Sequence, residues 1–157
     1  VAAVAALAFT MVPRESRADF TVGADLGVPI PVDLPGADAG FGFDGRLGSL
    51  SSFGPVDLTT ELKGGYYAVA NGGVARILGG ARLGIGNFIQ PGVYGHLGYG
   101  GITSAGGGGG FHFDAGGYLD LRLPLVSVGV HVDYNHILLN PGDFKWVGTG
   151  LHAALTF

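Results

Sequence analysis

The residues able to do chemistry are few and regularly spaced. Of 157 residues, 8 are Lys or Arg, 12 Asp or Glu and 5 His, and Cys is absent, so disulfides and thiolate metal sites are excluded. Two His-x-Asp pairs, His112 with Asp114 and His131 with Asp133, fall in neighbouring segments, and a register through the last hairpin sets His131 opposite His152. Imidazoles and carboxylates are suitable ligands for transition metals. Two-residue spacing is also what plain alternation produces, so ion pairing is the expected reading and a metal site on His112, Asp114, His131 and Asp133 the competing one. Arg46, Lys63, Arg82 and Arg122 are placed to neutralise Asp25, Asp44, Glu61 and Asp120. The run Gly106 to Gly110 is followed by neither Lys-Ser nor Lys-Thr and opens no helix, so it reads as a surface loop and not as a phosphate cradle. No cofactor is implied. A net charge of −4 disfavours nucleic acid, whose binders concentrate Lys and Arg on one face.

The elements that must position these groups show themselves as a period of two. Phe20, Val22, Ala24, Leu26 and Val28 alternate with Thr21, Gly23, Asp25 and Gly27; Phe111, Phe113, Ala115, Leu119 and Leu121 alternate with His112, Asp114, Gly116, Tyr118 and Asp120. One apolar and one polar face is how a strand reads. Eight such segments follow one another from Asp19 to Phe157, divided by turn-forming stretches at Pro31 to Asp38, Ser51 to Pro55, Asn71 to Gly73, Asn87 to Gly92, Ser104 to Gly110 and Asn140 to Asp143, with only Pro124 between the sixth and seventh. Connections this short cannot carry crossover helices, so the strands pair antiparallel, up and down. Closing the sheet removes its two bare edges. The expected fold is all-β, an eight-stranded antiparallel up-and-down barrel.

Composition decides which face points out. Hydrophobic residues make up 47% of the chain and charged ones 13%, with 32 Gly, so the polar face is mostly glycine. Twelve charges, among them Asp25, Asp44, Arg46, Asp57, Glu61, Lys63, Arg76 and Arg82, all share the parity opposite the apolar one. An aqueous exterior of glycine and so few charges would be poorly solubilised. The same face suits the narrow interior of an eight-stranded barrel. An apolar exterior then needs lipid, where only helices and closed barrels satisfy the backbone. Tyr66, Tyr67, Tyr99, Tyr134, Trp146 and Phe157 near strand ends are candidates for interfacial girdles.

Residues 1–18 stand apart. Val1 to Val12 form an apolar run of signal-peptide length, and Ser16 and Ala18 are small residues at the positions a signal peptidase reads. The expected organisation is a truncated signal peptide over 1–18 and a mature barrel over 19–157.

The alternating segments and the last strand together resemble the small eight-stranded outer-membrane β-barrels of Gram-negative bacteria, the family of the transmembrane domain of outer-membrane protein A. The resemblance implies export by a Sec-type route, insertion into outer-membrane lipid and a monomer, with both chain ends on the periplasmic side. It also implies that Leu151, Ala153, Leu155 and Phe157 form the terminal signal read by the barrel assembly machinery. The family signal commonly has a glycine where this chain has His152. Enzymatic relatives that deacylate lipid A use Ser and His close together on a membrane-facing strand; the outward-parity His136 has no Ser beside it. A non-enzymatic structural or interaction barrel with a charge-plugged lumen is therefore expected, the alternatives being a narrow pore or a secreted lipocalin-like barrel holding a small apolar ligand.

Overall fold

The computed structural model describes residues 18–32, 39–69, 72–104, 107–140 and 142–157. Nearly all of the expected signal peptide, and most of the first loop, lie outside the described residues. Every regular element described is a strand: β1 (Ala18–Pro31), β2 (Phe41–Phe53), β3 (Val56–Val69), β4 (Gly72–Ile85), β5 (Ile89–Ile102), β6 (Gly109–Arg122), β7 (Val126–Leu138) and β8 (Phe144–Thr156). Each pairs antiparallel with its sequence neighbours, and β1 closes on β8 from Thr21↔Thr156 to Pro31↔Trp146. Closure gives β1 and β8 partners on both sides, so neither is left as a sheet edge.

The strands run further into the turns than their glycines suggest. Ser51 to Phe53 belong to β2, Gly72 and Gly73 to β4, Pro91 and Gly92 to β5, and Gly109 and Gly110 to β6. At the barrel end where β1 begins, connections shrink to residues 54–55, 86–88 and 123–125. Gly54 takes a φ of 66°, a left-handed conformation that only glycine adopts without cost. The β6–β7 connection spans three residues where Pro124 alone was expected, and Leu123 N–H bonds the Val126 carbonyl at 2.8 Å.

Facing follows the apolar parity. Phe43, Leu47, Ile77, Leu97, Leu119, Val130 and Leu151 point outward, each about half exposed or more, while Asp44, Arg46, Glu61, Lys63, Asp114 and Asp120 are buried inside. A lipocalin-like barrel requires the reverse, so that alternative is ruled out. An apolar surface around the whole circumference is stable in lipid, and hydrogen bonding through the closed ladder is what lipid demands of backbone groups. The molecule is a membrane-spanning barrel.

Candidate functional site

The lumen holds the chemistry. Inward positions alternate between glycines, which make room, and long polar side chains, which occupy it. Tyr67 of β3 lies across Gly42 of its cross-strand partner β2, with a ring carbon 2.2 Å from where a Cβ would stand. Tyr118 of β6 covers Gly92 of β5 in the same way.

Near the β1-start end, Asp57 pairs with Arg122 and accepts from Gln90 Nε2 at 2.7 Å and Ser52 Oγ at 2.5 Å. One layer up, Arg82 lies 3.8 Å from Asp120 and 4.1 Å over the Tyr118 ring, and His152 Nε2 reaches Asp120 Oδ1 at 2.5 Å. At mid-height a continuous chain crosses the lumen. Arg46 Nε donates to Asp25 at 3.0 Å and Nη1 to Glu61 at 3.2 Å; His96 then bridges Glu61 (2.9 Å) and Asp114 (2.6 Å), and Lys63 closes on Asp114. Both His96 ring nitrogens face carboxylates, which only accept, so both carry hydrogens. Above this, Arg76 grips Asp44 with two nitrogens (2.9 and 2.5 Å), bonds Asn135 Oδ1 (2.5 Å) and stacks 4.4 Å from the Tyr67 ring. Tyr67 hydroxyl donates to Asp44 at 2.7 Å, while Asn135 and Tyr94 both donate to Asp133.

The opposite end is apolar. Tyr67, Val74, Ile137, Phe144 and Trp146 form a packed cluster, supported by Val69, Ile102 and Leu139. Trp146 is 0% exposed, its ring 5.2 Å from His112 and 5.3 Å from Phe144. Its Nε1 and both His112 ring nitrogens make no hydrogen bond to the described residues. Small cavities lie in the lumen among the described residues. One of about 50 Å³ opens among Thr21, Asp57, Glu61, Asp120 and Arg122; another, about 10 Å³, lies at mid-height against Asp25, Lys63, Arg76 and His131.

Of the residues singled out in the sequence, Asp25, Arg46 and Glu61 form one linked unit and Arg82, Asp120 and His152 a second. Other expected partners differ: Lys63 serves Asp114, Asp44 is held by Arg76, and Arg122 pairs with Asp57. The proposed ligands His112, Asp114, His131 and Asp133 do not converge, since His112 sits under the apolar end while Asp114 and Asp133 are taken by hydrogen bonds. His131 pairs across the ladder with Gly150, and His152 with Gly129, a register two residues from the expected one. The two imidazoles meet diagonally instead, Nδ1 to Nδ1 at 3.3 Å. Tyr67 and Trp146 are no girdle residues; both point inward, whereas Tyr66, Tyr99, Tyr134 and Phe157 do lie on the outer face. His96, Arg76, Asp57 and Asn135 were missing from the expected network, although all carry the inward parity. His136, on the outer face, is held by Asp143 at 2.8 Å.

No protein-family model and no curated protein matches the chain. Solved structures do. The N-terminal β-barrel domain of OprF from Pseudomonas aeruginosa superposes with a TM-score of 0.64 at 16% identity, covering 90% of this chain and 100% of that one. Neisserial surface protein A gives 0.58 at 14% identity over 87% and 95% of the two chains. Ail, the attachment invasion locus protein of Yersinia pestis, gives 0.56 at 15% over 90% and 99%. With eight strands closed in sequence order, an apolar exterior and a charged interior, the chain has the fold of the small eight-stranded outer-membrane β-barrels.

Proposed function

We propose that this protein is a non-enzymatic integral barrel of the bacterial outer membrane, exported by a Sec-type route, with a structural or interaction role and a lumen plugged by its own side chains. The observation that carries the reading is the mid-lumen cavity of about 10 Å³, room for about one water and no continuous file of them. Below it the Asp25, Arg46, Glu61, His96, Asp114 and Lys63 chain joins five strands across the lumen; above it the Trp146 cluster stops the bore with apolar groups. The narrow-pore alternative would need that chain to part and the cluster to move together. On this reading Leu151, Ala153 and Leu155 on the outward face of β8, with the exposed Phe157 directly after it, are the strip offered to the barrel assembly machinery, and the folded barrel is a monomer solvated by outer-membrane lipid. Planar-bilayer recording of the purified protein tests the plug: silence at ordinary voltages is expected, and steady large openings would make it a pore.

A further inference from the structure

Asp25 on β1, His131 on β7 and His152 on β8 each present one ligand atom within 4.8 Å of the other two, and all three are buried. The neighbouring network fixes their roles. His152 Nε2 stands 2.5 Å from Asp120 Oδ1 and 3.3 Å from Arg82 Nη2; the carboxylate, which only accepts, is the nearer, so Nε2 carries the hydrogen and Arg82 keeps its charge toward Asp120. Nδ1 of His152 is then left with its lone pair, aimed at His131 Nδ1 3.3 Å away. A carboxylate behind one nitrogen of an imidazole whose other nitrogen is free is the support that metal-binding histidines usually have. The separation fits as well: two nitrogens at ordinary zinc bond lengths and a tetrahedral angle lie about 3.4 Å apart.

Charge points the same way. Seven buried carboxylates line the lumen against four buried Lys and Arg side chains, so even with the rim Arg122 and a doubly protonated His96 the balance stays negative. Asp133, two residues along β7 from His131, takes its hydrogen bonds from the neutral Tyr94 and Asn135. Arg46 is shared between Asp25 and Glu61, so Asp25 can turn to a cation while Arg46 keeps Glu61. Space is left by glycine: a Cβ on Gly150 would stand 2.9 Å from His131 Cε1, and one on Gly129 2.9 Å from His152 Nε2. The 10 Å³ cavity borders Asp25 and His131, and a single water there would fill the fourth position that three protein ligands leave open.

We propose that Asp25, His131 and His152 form a binding site for one divalent transition-metal ion of the zinc class, with Asp120 as the positioning residue behind His152. The 50 Å³ cavity, whose walls include Asp57, Glu61 and Asp120, offers a cation an acidic approach on the Asp120 side of the site. The site ties β1 to β7 and β8 across the seam where the barrel closes.

Equilibrium dialysis of the refolded, detergent-solubilised protein against Zn²⁺, with elemental analysis, tests this. One ion per barrel is expected, and Co²⁺ in its place should show the visible absorption of a tetrahedral nitrogen and oxygen site. His131→Gln and Asp25→Asn should each abolish retention, and Asp120→Asn should keep one site but weaken it about 10- to 100-fold. His112→Gln should bind as the parent does. Heat-modifiable mobility in electrophoresis shows which variants are folded, and either ligand variant suffices if the other fails to fold. A folded parent that retains no zinc, a folded His131→Gln or Asp25→Asn that retains it, or a loss in folded His112→Gln would each overturn the site.

Discussion

Arg76 and Asp44 show what single residues contribute inside the lumen. Both are buried and joined by two hydrogen bonds, and each also touches Tyr67. Removing one member of a buried pair strands the other without water or partner, a loss of about 3–5 kcal/mol, whereas replacing both by uncharged groups of similar volume is often neutral. Arg76→Met should therefore destabilise strongly, and Arg76→Met with Asp44→Asn should recover much of that loss. Urea unfolding in lipid vesicles measures both, and equal stability of parent and single variant would contradict the argument. Arg76 was readable as an inward charge from its parity, but not as the partner of Asp44. That choice depends on the tilt of β2 against β4 and on the room Gly65 leaves, where a Cβ would stand 2.3 Å from Asp44 Oδ1.

Between neighbouring strands, stability rests on rings laid over glycines. Gly42→Ala would drive a methyl group into the Tyr67 ring at 2.2 Å, forcing the ring off Asp44 and Arg76, at about 1–3 kcal/mol for overpacking. Gly45, outward on the same strand with nothing within 4 Å of its Cβ position, should accept Ala with little change. In a Tyr67→Ser background the Gly42→Ala penalty should largely vanish; a double-mutant cycle that shows no coupling would mean the ring is placed by something else. Strand number, order and facing were legible in the sequence because the period of two reports them directly. Register was not. Along β7 and β8 the paired residues place the hairpin midpoint one residue earlier than the expected turn, and one residue at a turn moves every cross-strand pair by two, which is why His131 faces Gly150 and not His152. Tyr67 and Trp146 were misplaced for a different reason: proximity to a strand end says nothing about face, while Tyr67 shares its parity with Glu61 and Lys63. Nor does alternation explain the inward Leu50, Val74 and Leu78, apolar residues on a polar face whose packing is purely tertiary.

Taken whole, the barrel is inverted relative to a water-soluble protein, and its response to charge should be inverted too. Arg at Val130 or at its cross-strand partner Leu119, both outward, should cost about 2–4 kcal/mol when unfolding is followed in vesicles. If both variants matched the parent while Gly129→Arg alone was severe, the facing would be wrong. Trp146 gives the same architecture an optical consequence. It is the single Trp of the chain and lies inside the apolar cluster at 0% exposure, packed against Tyr67 and Phe144 within the lumen, with the barrel wall between it and the acyl chains. Its emission therefore reports closure of the bore and not arrival at the bilayer. During refolding into vesicles of brominated lipid the fluorescence should shift to the blue as the strands close and yet escape quenching, and strong quenching by bromines at any depth would mean the indole faces lipid.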